Sequence, residues 1–207
     1  MKWFYQSLII ITLTATPLLA TASETILVLG DSLSAALGIE KQQGWVNLLQ
    51  QQLDRKGQDY KVINASISGE TTAGGLARFK PLLERHQPTI VIIELGANDG
   101  LRGQSLRIMQ KNIQKIIQQT RQQQGKVLLV GMQLPANYGL GYTSQFHRIY
   151  KKLSQQNGIP LVPFLMQGLE DNNNHFLPDR LHPTAAAQPI LLSNVWKRLE
   201  PLLKQKE

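Results

Sequence analysis

The sequence contains no cysteine. That single absence excludes disulfides, thiolate metal sites and a cysteine nucleophile. It also excludes a lipid-modified N-terminus, since no cysteine stands at the cleavage point described below. No apolar run reaches the ~20 residues that a membrane-spanning helix needs. There is no Gly-x-Ser-x-Gly: Ser34, not glycine, stands two residues after Ser32, so the strained nucleophile elbow is not indicated. No Gly-x-Gly-x-x-Gly follows the first strand-like stretch and no phosphate-binding loop is present, so nucleotide cofactors lack support. Internal repeats, linkers and low-complexity segments are absent as well. No basic run is interleaved with aromatics, which leaves nucleic-acid binding without a footprint.

What is present is enough for one domain. The chain has 207 residues, 42% of them hydrophobic, an ordinary value for a globular protein. Lys2 opens a short positive region, Leu8 to Ala20 is an apolar run of 13 residues, and Ala20-Thr21-Ala22 follows as a small-residue cleavage signal. This is the layout of a secretory signal peptide. Residues 1–22 are therefore read as a signal peptide and 23–207 as one exported, periplasmic domain. The net charge is +8, from 22 basic and 14 acidic residues. The basic residues are scattered. Arg107, Lys111 and Lys115, spaced by four, read as the solvated face of an amphipathic helix.

Strand-like and helix-like stretches alternate. Ile26 to Leu29, Lys61 to Asn64, Thr89 to Glu94, Lys126 to Val130 and Ile159 to Val162 read as five strands, the third a β-branched run suited to burial on both faces. Between them, Trp45–Leu53, Leu76–Leu83, Leu106–Ile117 and Phe146–Leu153 carry apolar residues at helical spacing, and Ile190–Leu203 closes the chain as another helix. Thr71 or Thr72 is the expected cap of the second helix. Such alternation predicts βαβ units, an α/β fold and a five-stranded parallel sheet covered on both faces. Leu134–Thr143 and Gln167–Pro183 are expected to be long loops.

Three small motifs each follow a predicted strand: Gly30-Asp31-Ser32, Ser68-Gly69, and Gly96-Ala97-Asn98-Asp99. In an open α/β sheet these positions share the carboxyl edge where ligands bind. Each motif alone is an ordinary turn or cap. Together with Asp179-Arg180-Leu181-His182-Pro183 they supply every part of a hydrolytic site. Ser32 would be the nucleophile and His182 its base. Asp179, three residues earlier, would orient the imidazole. Pro183 biases His182 away from helical geometry. The backbone N–H groups of Ser32 and Gly69 and the side-chain amide of Asn98 could receive an oxyanion. His86 and His147 fall on helices. His175 shares the loop of Asp179 and is the rival base. His175, Asp179 and His182 could in principle ligate a metal, but nothing clusters with them in sequence, so no metal or other cofactor is expected.

These blocks resemble the SGNH or GDSL hydrolase superfamily, whose four letters correspond here to Ser32, Gly69, Asn98 and His182. LGDSLSA, VINASISGETT, ELGANDGLRG, LPANYG and DRLHP are similar to periplasmic members acting on acyl-CoA thioesters, lysophospholipids and aryl esters. The match covers essentially the whole mature chain. Ala97 stands where close relatives often have glycine. The resemblance implies a flavodoxin-like three-layer α/β/α sandwich, no cofactor, and hydrolysis of acyl esters and thioesters by a Ser32–His182–Asp179 triad. The expected partner is a small-molecule acyl ester or thioester. No nucleic acid, no stable membrane anchor and only transient lipid contact are expected of a chain acting as a monomer. Two alternatives share the sequence evidence: an O-acetylesterase of carbohydrate or cell-wall polymer using the same site, and a non-catalytic lipid- or glycan-binding module.

Overall fold

A computed structural model describes residues 24–169 and 173–204. The expected signal peptide and residues 170–172 of the Gln167–Pro183 loop lie outside these.

Five strands, β1 (Glu24–Gly30), β2 (Tyr60–Asn64), β3 (Ile90–Glu94), β4 (Lys126–Val130) and β5 (Leu161–Val162), form one sheet in the order β2-β1-β3-β4-β5. Every pairing is parallel. Six α-helices connect and cover it: α1 (Trp45–Arg55), α2 (Thr72–His86), α3 (Ala97–Leu101), α4 (Leu106–Gln122), α5 (Leu140–Asn157) and α6 (Gln188–Leu199). Helix α1 packs with α6, while α2 packs with α4 and α4 with α5. This gives the expected three layers, with two apolar seams burying both faces of the sheet.

The sequence causes of this arrangement are local and additive. Ile90, Val91, Ile92 and Ile93 of β3 are all buried, as a strand between two helix layers requires. Each contributes roughly 1.5–3 kcal/mol by leaving water. Trp45, Leu49 and Leu53 recur every four residues, so α1 lays all three into the core. Thr71 caps α2, its hydroxyl accepting from the Gly74 N–H at 3.2 Å. Arg107, Lys111 and Lys115 line the exposed side of α4.

Some boundaries differ from expectation. Leu134–Thr143 is not a continuous loop: residues 136–138 make a 3-10 turn and α5 starts at Leu140. Gly139, at φ +85, breaks the chain direction, and the Thr143 hydroxyl folds back onto its carbonyl. β5 is only two residues long because Pro160 and Pro163 flank it and lack an N–H for the ladder. The closing helix starts two residues earlier than expected and tightens into a 3-10 turn at Glu200–Leu202. Helix α3 had been read only as a turn.

β1 has neighbours on both sides, β2 and β3, and the chain leaves it in one direction and returns in the other. The crevice between the carboxyl ends of β1 and β3 is therefore the topological switch point of the sheet. Gly30 and Glu94 face each other there in register.

Candidate active site

Ser32 leaves β1 two residues after its last strand residue and sits in a tight turn. The Asp31 carboxylate accepts from the Leu33 N–H at 3.1 Å, and the Ala35 N–H closes onto the Asp31 carbonyl. The turn stops the strand and lifts the Ser32 hydroxyl out of the sheet edge. Across the switch point, β3 ends at Glu94, and Gly96 at φ +117 starts the short helix α3 that carries Asn98. Glycine is required at 96: a Cβ there would stand 2.4 Å from the Tyr150 hydroxyl, which donates to the Leu95 carbonyl.

His182 arrives from far along the chain. Its Nε2 lies 2.9 Å from Ser32 Oγ, and its Nδ1 lies 2.7 Å from Asp179 Oδ2. The local fold makes the second contact almost unavoidable. Asp179 Oδ1 accepts the backbone N–H groups of Leu181 and His182 at 2.9 and 3.0 Å, which curls residues 179–182 into a turn. Arg180 takes a positive φ within it, and a bridge from Phe176 to Pro183 closes the hairpin below. The same hydrogen bonds, that of the His182 N–H first, hold the Asp179 carboxyl down at about 2. Asp179 is thus an anion over the whole working range, facing the ring nitrogen away from the serine.

The other sequence-selected residues fall as follows. Asn98 lies beside Ser32 on the wall of one cavity of about 390 Å³, together with His182, Leu101, Leu134, Phe164 and Leu181. Gly69 is at φ +77 on the neighbouring turn after β2, where Arg102 donates to its carbonyl at 3.0 Å; it does not line that cavity. Among the described residues no acceptor is recorded for the Ser32 or Gly69 N–H groups. His86 ends α2, and His147 faces the Met132 carbonyl at 3.3 Å. His175 sits in the 3-10 turn at 173–175. Neither Tyr138 nor Tyr142 lines the cavity. Their hydroxyls donate to the Leu101 and Gly100 carbonyls at 3.0 and 3.1 Å, closing the carboxyl end of α3. Among the described residues no group of three or more histidines and carboxylates is arranged to hold a metal.

Sequence reasoning missed a buried carboxyl pair behind the site. Asp31 and Glu94 are both buried, side by side. Ser34 Oγ donates to Glu94 Oε2 at 2.7 Å, and the Asp31 N–H points at the same oxygen at 3.3 Å. Burial pushes Glu94 well above the carboxylate range, reinforced by the neighbouring Asp31 charge. Burial also raises Asp31, to about 6, against the opposing pull of the Leu33 N–H. Both carboxyls are thus held toward the protonated form, Glu94 the more strongly. Asp31 Oδ2 in turn accepts from the Asn98 amide at 3.1 Å. The available signal was a glutamate closing an otherwise apolar strand.

With this geometry in view, residues 28–189 match the GDSL-like Lipase/Acylhydrolase family. The chain belongs to this family. It is 50% identical over 182 residues to the esterase TesA of Pseudomonas aeruginosa, covering 88% of this chain and 90% of that one. It is 38% identical over 202 residues to the thioesterase 1/protease 1/lysophospholipase L1 of Escherichia coli K12, covering 98% and 94%. Its backbone matches a crystal structure of TesA with a TM-score of 0.85, covering 87% of this chain and all of that chain. The α/β sandwich read from the sequence is the fold of these GDSL esterases.

Proposed function

We propose that the protein is an exported serine hydrolase that cleaves acyl esters and thioesters, with Ser32, His182 and Asp179 as its triad. Its membership in an ester-hydrolase family and the names of its relatives carry the reaction class. The observation supporting the residue roles is the unbroken hydrogen-bond chain from Ser32 Oγ through the His182 ring to Asp179.

In this reading His182 Nε2 takes the Ser32 proton as Oγ attacks the acyl carbonyl. The charge that develops on the carbonyl oxygen is received by the Ser32 and Gly69 N–H groups and the Asn98 amide. His182 then returns the proton to the departing alcohol or thiol, leaving an acyl group on Ser32. Water enters, gives its proton to His182, and the same steps in reverse order release the acid and restore the serine. Asp179 stays ionised throughout, fixing the proton on Nδ1 and stabilising the imidazolium.

The walls of Leu101, Leu134, Phe164 and Leu181 favour an acyl chain over a sugar ring as the group beside the serine. Aryl esters, acyl-CoA and lysophospholipids are the proposed substrate class. The apolar leader before Ser23 supports export to the periplasm, where no cofactor is called for. A panel of p-nitrophenyl esters from acetyl to palmitoyl, with acyl-CoA and lysophospholipid, tests the class: hydrolysis confined to acetyl esters favours an O-acetylesterase instead. Ser32→Ala is expected to abolish turnover with the fold intact by circular dichroism. Fluorophosphonate labelling that persists in this variant overturns the nucleophile assignment, and ligand binding without any ester hydrolysis in the wild type revives a non-catalytic binding module.

A further inference from the structure

In a parallel sheet every strand-to-helix connection lies at one edge and every helix-to-strand connection at the other. The exposed large apolar side chains among the described residues are divided unequally between the two. Leu37 follows β1, Ile67 follows β2, Ile108 is in the first turn of α4 after β3, Tyr138 and Leu140 follow β4, and Leu181 follows β5. All are at the carboxyl edge, the edge of the active site. The helix-to-strand connections, residues 56–59, 87–89, 123–125 and 158–160, contain none of them. Leu140 is 81% exposed and Ile108 58% exposed, so nothing within the described chain covers them. Single exposed apolar residues are normal; their collection on one edge around a cavity mouth is not.

Among the described residues, the exposed unpaired charge at this edge is mainly positive. Lys41, Arg102, Arg107 and Arg180 are exposed there, and none forms an ion pair among the described residues. The carboxylates of the same edge are otherwise engaged: Asp31, Glu94 and Asp99 are buried, Glu70 pairs with Arg78 and Asp179 with His182. Among the described residues Glu40 remains as the exposed, unpaired one. From Arg107 a groove of about 430 Å³ runs between α4 and α5, and Arg148, Lys151 and Lys152 line it with no acidic residue beside them.

We propose that this edge docks on the anionic surface of a phospholipid assembly, placing the cavity mouth against the acyl chains. The proposal deepens the reading of the site as an acyl hydrolase, but docking itself needs no chemistry. Apolar side chains that protrude into the acyl boundary gain by leaving water, and nearby cations add attraction to an anionic surface. Either group alone is weak; both on one rim select an anionic lipid surface over a neutral one.

The test is co-sedimentation with vesicles of phosphatidylcholine alone and of phosphatidylcholine with one-third phosphatidylglycerol. Wild type is compared with Ile108→Ser/Leu140→Ser and with Arg107→Gln/Arg148→Gln. All share the same N-terminus, so a difference between them reports on the edge. Binding is expected to the anionic vesicles, roughly tenfold weaker in the apolar double variant. In the charge variant the preference for anionic over neutral vesicles should be lost. Equal binding by wild type and both variants, or no wild-type binding to either vesicle, overturns the proposal. Hydrolysis of soluble p-nitrophenyl acetate, expected unchanged in both variants, reports separately on the site. Its absence from wild type counts against the hydrolase reading and leaves the docking result standing.

Discussion

The side-chain amide of Asn98 donates to the carboxylate of Asp31 at 3.1 Å, from the opposite side of the crevice between β1 and β3. That contact occupies one of the amide's two N–H bonds and fixes which end of the carboxamide is the donor. The second N–H bond is then left for a substrate oxygen. Asn98→Ala is expected to lower kcat by about 10²–10³-fold, the usual loss for one oxyanion donor, with a smaller effect on KM. Steady-state kinetics on a soluble aryl ester checks it. An unchanged kcat removes Asn98 from the oxyanion site.

Asp179→Asn keeps the size of the side chain but reverses what it offers to His182 Nδ1. The ring then adopts the wrong tautomer, and kcat should fall by roughly 10³–10⁴-fold. Because hydrogen bonds hold the Asp179 carboxyl at about 2, its own protonation cannot shape the acid limb of the wild-type activity profile above pH 4. A pH–rate profile with an inflection that moves when Asp179 is altered by substitutions elsewhere in its turn would contradict this.

The buried pair predicts an unusual dependence of stability on pH. A carboxyl whose folded value lies above its unfolded one costs nothing at low pH, where both states hold the proton, and costs progressively more as pH rises from the unfolded value to the folded one, above which the cost is constant. Asp31, raised to about 6, therefore makes the protein lose stability between about pH 4 and 6. In Glu94→Gln the second raised carboxyl is gone, and its own share of that cost with it. The fall in Tm across that window should be smaller than in wild type. Thermal melts at fixed ionic strength from pH 4 to 7 decide it, and parallel curves for the two proteins refute the assignment.

Gly96→Ala tests the backbone under Asn98. The substitution combines a φ of +117 with a Cβ 2.4 Å from the Tyr150 hydroxyl. A loss on the order of 2–4 kcal/mol is expected, from backbone strain and the displaced Tyr150–Leu95 hydrogen bond. Chemical denaturation measures it. A companion Tyr150→Phe should recover part of the loss by removing the clashing oxygen.

Much of the fold was legible because its causes are periodic. The runs at 26–29, 61–64, 89–94 and 126–130 are strands for reasons written into their own residues, and the switch point follows from their order. The pairing of Asp179 with His182 was legible through the short turn from Asp179 to Pro183, which needs little beyond its own sequence. Glu94 was not, because its state depends on burial between layers and on facing Gly30 across a strand pair. The roles of Tyr138 and Tyr142 were hidden for a similar reason. Their hydroxyls close the end of α3, a helix of five residues too short to announce itself by periodicity.

The reach from Ser32 to His182 spans 150 positions of sequence. On the ribosome the alcohol is therefore made long before the imidazole that activates it. Every nascent chain shorter than 182 residues lacks its base, however well its first strands have begun to pair. On the proposed assignment, chemistry on acyl groups is withheld during synthesis by the order of translation itself.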